Sequence, residues 1–216
     1  MTDLASTLLA ATTQTLIMVA VAVVLCAAFG LFLGSCLAVT APQGVAPARA
    51  VHQSLAAFAN VSRSIPFLIL IVLLLPFTRF LVGTSIGTAA AIVPLAIGGT
   101  PYAARLVEAA LLDVDPGLVQ AVVTLGASPA QVVWKSYLPE ATPALIRAFT
   151  VLSITMINFS AMAGAVGGGG LGDLAIRYGY QRFRLDVLAL CCVVLILLVQ
   201  VIQFGGNLLA RHFDRR

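Results

Sequence analysis

No charged side chain interrupts the chain between Thr15 and Val39, and most residues there are apolar. This run exceeds the roughly 20 apolar residues that cross the hydrocarbon core of a bilayer. Composition agrees: of 216 residues, 61% are hydrophobic and 9% charged, against about 25% charged in soluble domains. Water cannot solvate a surface so poor in charge. The sequence therefore predicts one all-α integral membrane domain over residues 1–216. No lysine or arginine precedes the first run, so it lacks the basic region of a signal peptide and is expected to remain as a span.

Uncharged apolar length predicts five transmembrane helices. The first covers Thr15 to Val39 and ends at the Pro42-Gln43-Gly44 turn signal. The second has its core at Ile65 to Phe77, only about 20 Å long at 1.5 Å per residue. It is expected to extend through Leu55–Ser62 and Phe80–Val82, with Arg63 and Arg79 reaching toward the interfaces. The third runs from Ser85 to Ala104, interrupted by Pro94, Gly98-Gly99 and Pro101. Ala148 to Leu171 is the fourth and Val187 to Ala210 the fifth. With the N-terminus outside, the inner side holds Arg49, Arg63, Arg105, Lys135, Arg147, Arg211, Arg215 and Arg216. The outer side holds Arg79, Arg177, Arg182 and Arg184. The excess of inner basic residues favours an N-out, C-in topology. It places the 105–147 connection in the cytoplasm.

Several classes of function lose support at this level. The net charge of +4 is dispersed along the chain, so no nucleic-acid footprint is formed. Cys26, Cys36, Cys191 and Cys192 lie in apolar runs and read as packing residues. His52 and His212 are far apart, and no metal-binding set is recognisable. The phosphate-loop pattern, G-x-x-x-x-G-K followed by Ser or Thr, does not occur. The acids lie near membrane edges or in loops, which leaves no intramembrane carboxylate for a proton relay. No repeat of 20–50 residues is visible, and an odd span count fits an inverted-repeat transporter poorly.

The connection between the third and fourth spans, about 113–140, is too polar and broken to cross a membrane. Asp115-Pro116 reads as an N-cap with proline at the first helical position. Leu118, Ala121, Val122 and Leu125 follow as one apolar stripe at i, i+3, i+4 and i+7. Gly126 suits the left-handed residue that ends a helix. Ser128-Pro129 repeats the start signal for a second short helix carrying Val132, Val133 and Tyr137. Such a pair is either an amphipathic loop on the membrane surface or a docking element for another subunit.

The fourth span contains Ser160-Ala161-Met162-Ala163-Gly164-Ala165-Val166-Gly167-Gly168-Gly169-Gly170-Leu171-Gly172. Small residues permit close helix contact in lipid. Weak helix propensity also permits bending or sliding, as a gate requires. Both readings stand. Asn158 reads as an interhelical hydrogen-bond partner or a substrate contact, and Gly30 with Gly34 forms a G-x-x-x-G packing pair.

The connection resembles the coupling motif of ATP-binding-cassette importer permeases: Glu-Ala-Ala, three residues, Gly, nine residues, Ile, one residue, Leu-Pro. Gln120, Ala121 and Gly126 match its first part, with glutamine for the usual acid, and Leu138-Pro139 its end. Val122 and Ser136 stand where alanine and isoleucine are usual. Over nearly its whole length the chain resembles the permease of the methionine importer family. The carrying segments include Arg63-Ser64-Ile65-Pro66-Phe67, Val82-Gly83-Thr84-Ser85-Ile86-Gly87, Glu140-Ala141, Gly164-Ala165-Val166-Gly167 and Tyr178-Gly179-Tyr180.

This resemblance implies a permease subunit, not an enzyme, in a bacterial inner membrane. Its partners would be a second copy of itself, two cytoplasmic ATPase subunits holding ATP and Mg, and a periplasmic methionine-binding lipoprotein. The chain itself would carry no cofactor, and membrane lipid would surround it. Gln120, Ala121, Gly126, Leu138, Pro139 and Glu140 would couple to the ATPase. Ser160, Met162, Gly164 and Gly167 would line the path or its gate. A permease for another small amino acid or hydrophobic solute remains open, as does a membrane scaffold without transport activity.

Overall fold

Proline and glycine decide where many of the helices stop. The computed structural model describes residues 2–214 and contains helices and turns, with no strand among the described residues. Arg215 and Arg216, counted above on the inner side, lie outside the described residues.

Among the described residues, four helices are long and apolar enough to cross a membrane. They are α1 (Thr2–Thr40), α4 (Thr88–Leu112), α8 (Thr142–Gly164) and α10 (Leu185–Phe213). A bent pair, α2 (Arg49–Ser64) and α3 (Phe67–Val82), raises the number to five if it counts as one span. Short helices complete the chain: α5 (Pro116–Thr124), α6 (Pro129–Val132), α7 (Leu138–Glu140) and α9 (Gly170–Leu174). A π-helical turn, Val133–Tyr137, joins α6 to α7, and another, Ala175–Tyr180, follows α9.

Three span expectations are corrected. The expected second span is not one rod, because α2 and α3 meet at 102°. Pro66 lacks an N–H and disfavours helical backbone at Ile65, which sits at φ −78°, ψ 122°. Arg63 consequently lies at the bend, its guanidinium 5.3 Å from the Tyr102 ring centre. The third span is longer than expected and helical through Pro94 and Pro101 to Leu112. The fourth stops at Gly164 rather than Leu171. Beyond it the chain turns back, with Gly167, Gly169 and Gly170 all at positive φ.

In lipid, apolar side chains gain little by facing each other, so close backbone approach and steric fit hold helices together. The α1–α4 seam shows this. A β-carbon on Gly30 would fall 2.5 Å from that of Ala103. Next to the seam, Met18, Cys26, Leu95, Leu152 and Met156 form a fully buried centre. Phe67 of α3 stacks on Phe159 of α8, with ring centres 4.1 Å apart. A second cluster ties Val132 and Tyr137 to Val107 and Leu111 of α4 and Leu145 of α8. A third, around Leu171, Leu174, Val187 and Cys191, closes the opposite end.

Candidate coupling surface and gate

The helix pair at one end of the bundle is built by local signals. Asp115 caps α5 by accepting a 2.8 Å hydrogen bond from the Gly117 N–H. Gly126 ends it at φ +83°. Its N–H donates to the Val123 carbonyl at 2.9 Å, and that of Ala127 donates to Val122 at 3.4 Å. These paired bonds satisfy carbonyls that the helix end would otherwise orphan. Ser128 starts α6 with a reciprocal cap: its hydroxyl accepts from Gln131 N–H, while the Gln131 side chain accepts from Ser128 N–H.

The expected apolar stripe divides. Val122, with Val119, packs inward against the cluster around Leu111 and Val132. Leu118, Ala121 and Leu125 point outward. Leu125 is 87% exposed, and Trp134 on the next turn is 73% exposed. Two large apolar side chains left this open around the α5–α6 pair are candidates for contact with another subunit. Trp134 was not singled out from sequence. The signal was available, because it is the chain's one tryptophan and follows closely on the Ser128-Pro129 helix start.

Gln120 and Ala121 are exposed on α5, and Gly126 is exposed at its end. Gln120 also borders a cleft of about 370 Å³ between α5 and the Pro42–Val45 turn. Leu138 is half-buried, whereas Pro139 and Glu140 are exposed. Glu140 borders a separate polar cleft of about 240 Å³ with Asp113, Arg147 and Asp214. The proposed coupling residues thus occupy one end but do not form one pocket. Beneath them, Tyr137 is buried, which raises its phenol pKa. Ser136 is 1% exposed, and its hydroxyl has no hydrogen-bond partner among the described residues.

Under this surface, Glu108 is nearly buried and accepts a hydrogen bond from Arg105. His52 Nε2 lies 3.9 Å from its other oxygen, and His52 Nδ1 lies 3.2 Å from the Leu37 carbonyl. These contacts join the start of α2 to the ends of α1 and α4.

The four gate candidates lie at the other end but are placed differently. Ser160 is buried and donates to the Ile157 carbonyl at 2.7 Å. Met162 is 48% exposed on the opposite side of α8. Gly164 packs against the returning chain, where a β-carbon would fall 2.2 Å from the Asp173 nitrogen. The Gly167 carbonyl accepts from Gly87 N–H at 2.8 Å, fastening the loop to the start of α4. Gln14 and Thr15 of α1 accept from the N–H groups of Gly170 and Leu171, each at 2.9 Å. Sequence reading missed this pair; the polar tract Thr12-Thr13-Gln14-Thr15 entering an apolar run was its signal.

Among the described residues, no group of three or more His, Cys, Asp or Glu side chains is arranged to hold a metal ion.

Residues 30–216 match the family described as "Binding-protein-dependent transport system inner membrane component". The "Probable D-methionine transport system permease protein MetI" of Vibrio cholerae is 49% identical over 209 residues, covering 97% of this chain and 93% of that protein. The "Methionine import system permease protein MetP" of Bacillus subtilis is 47% identical over 168 residues, 78% of this chain and 76% of that one. A solved inward-facing conformation of the MetNI methionine ABC transporter superposes with a TM-score of 0.96 at 43% identity, covering 99% of both chains. An amino acid ABC transporter solved with histidines shares the fold, with a TM-score of 0.79 at 20% identity over 98% and 96% of the two chains. The chain belongs to the binding-protein-dependent inner-membrane transport components and, among them, to the methionine-transport permeases.

Proposed function

We propose that this chain is the membrane-spanning subunit of an ATP-driven, binding-protein-dependent methionine importer in a bacterial inner membrane. It works as a homodimer with two ATPase subunits below it and a methionine-binding lipoprotein above. Counting α2 and α3 as one broken span gives five, with the N-terminus outside and the C-terminus inside. This orientation places α5–α7 in the cytoplasm and the glycine loop outside. ATP and Mg belong to the partner; no cofactor is assigned to this chain, and no nucleic-acid partner is proposed.

One observation carries the coupling role: Leu125 and Trp134 stand exposed on a capped helix pair whose other face is fastened to the bundle. An ATPase that closes on ATP would move this knob. The cluster joining Val132 and Tyr137 to Leu111 and Leu145 would pass the motion to α4 and α8. Because α8 ends at Gly164, movement at its cytoplasmic end reaches the gate candidates at the other. Alternating access follows from tilting this lever between two packings.

The deciding experiment measures labelled L-methionine uptake in a methionine-requiring strain lacking its own importer. This chain is co-expressed with its ATPase and binding protein, against a panel of unlabelled amino acids. Uptake that needs the chain and is quenched by methionine establishes the assignment. Uptake quenched only by another amino acid would move the substrate while keeping the permease. An absence of both uptake and a co-purifying ATPase would favour the scaffold.

A further inference from the structure

Two amide side chains lie within helices long and apolar enough to span a membrane, at positions where lipid would leave them unpaired. Asn158 of α8 and Gln200 of α10 border one cleft of about 200 Å³, together with Ile157, Leu195, Ile196 and Val199. Both residues are exposed, and neither amide has a hydrogen-bond partner among the described residues. Gln200 lies near the middle of α10, roughly 20 Å from either end at 1.5 Å per residue.

The amides continue along aligned faces. On α8, Val151, Thr155, Asn158 and Met162 recur at i, i+4, i+7 and i+11, on one side of the helix. On α10, Gln200, Gln203 and Asn207 recur at i, i+3 and i+7, and Gln203 donates to Asn207 at 3.1 Å. That last pair is satisfied internally; Asn158 and Gln200 are not. An unpaired amide facing acyl chains loses its hydrogen bonds to water with nothing in return. Such faces belong against a partner or a water-filled cavity.

We infer that Asn158 and Gln200 line the translocation path and hydrogen-bond the ammonium and carboxylate groups of a zwitterionic amino acid, whose apolar side chain enters the cleft beside them. The inference rests on the importer reading above. A carboxamide suits both ends of a zwitterion, since its oxygen accepts from ammonium and its NH₂ donates to carboxylate. Neutral groups also suit passage: a path must bind strongly enough to admit substrate and weakly enough to release it. No charged residue occurs from 148 to 164 on α8 or from 187 to 210 on α10. This part of the wall is therefore matched to a solute without net charge.

The test uses the complete transporter, reconstituted with its ATPase and binding protein, after Cys26, Cys36, Cys191 and Cys192 are replaced by alanine. Asn158→Cys and Gln200→Cys are exposed to a charged, water-soluble methanethiosulfonate. Both should react, and methionine supplied with binding protein should slow the reaction. Asn158→Leu and Gln200→Leu, in complexes that still co-purify with ATPase, should lower methionine uptake about tenfold. Cysteines that ignore the reagent but contact nitroxide-labelled acyl chains would overturn the inference, because the face would then be lipid-exposed. Disulfides between two copies without aqueous reactivity would overturn it as well, showing a dry seam between protomers. If the parent complex imports no methionine while both cysteines still react, the path wall stands and the methionine reading falls.

Discussion

Gly34 of α1 leaves no room for a side chain against Val107 of α4. A β-carbon placed on it falls 2.6 Å from that of Val107 and equally close to the Ala104 carbonyl oxygen. Both neighbours are fixed parts of α4, so relief requires the helices to separate. Gly34→Ala should lower stability by about 1–3 kcal/mol, read as a lower Tm in detergent. Gly34→Leu should prevent accumulation of folded protein in the membrane. An unchanged Tm for the alanine variant would show that the seam can open without penalty.

Gly126 has ample space and a demanding backbone. Among the described residues nothing lies within 4 Å of a β-carbon there, yet φ is +83°. Left-handed backbone disfavours an ordinary L-residue by roughly 1–2 kcal/mol, and β-branching makes this worse. Gly126→Val should abolish methionine uptake and leave ATP hydrolysis uncoupled, while the protein still inserts. Gly126→Asn, which tolerates this conformation, should retain most uptake. Equal loss in both variants would point to the surface at Gly126 rather than to its turn.

Leu125 and Trp134 should matter for assembly and little for folding. Each is mostly exposed, so truncation removes few contacts within the chain. Aromatic and other well-placed anchors at interfaces contribute about 2–4 kcal/mol on truncation. Leu125→Ala combined with Trp134→Ala should reduce ATPase co-purification severely and leave Tm nearly unchanged. Full recovery of ATPase with the double variant would remove this knob from the interface.

Glu108 should behave as a structural carboxylate. It is nearly enclosed between Arg105 and His52, and removal leaves the Arg105 charge without that partner. Glu108→Ala should cost about 1–3 kcal/mol, since Arg105 stays partly in solvent, and Glu108→Gln less, since an amide keeps an acceptor. Thermal unfolding of the purified permease in detergent gives the order; Gln at or below Ala would contradict it.

Ser136→Ala should be neutral or slightly stabilising, by up to about 1 kcal/mol. The hydroxyl is buried and unpaired, so alanine removes a desolvated polar group while leaving a void smaller than a methyl. A clear fall in Tm would reveal a bond to the hydroxyl that forms only in the assembled protein.

Much of the fold could be read directly. The apolar runs located α1, α4, α8 and α10, and the three caps of the α5–α6 pair appear where Asp115-Pro116, Gly126 and Ser128-Pro129 announced them. These are local effects, set by backbone chemistry and by whether a segment can be solvated. The bend at Ile65-Pro66 was misread because apolar length hides a break that proline imposes. The end of α8 was misread because a glycine run looks the same whether it continues a span or turns back.

What the sequence determined by itself is an all-helical, membrane-spanning character, the position of the four longest apolar helices and the local design of the α5–α6 pair. Each depends on residues close together in the chain. Tertiary structure alone decided which side of each helix is buried: Val122 faces inward on α5 and Leu125 outward at its C-terminal end. It also decided that Ser160 turns into the bundle while Asn158 and Gln200 share an open cleft. A uniformly apolar helix carries little periodic signal to say which way it faces. In lipid that choice rests on steric fit between distant segments, such as Gly34 against Val107, and this fit exists only once the helices have packed.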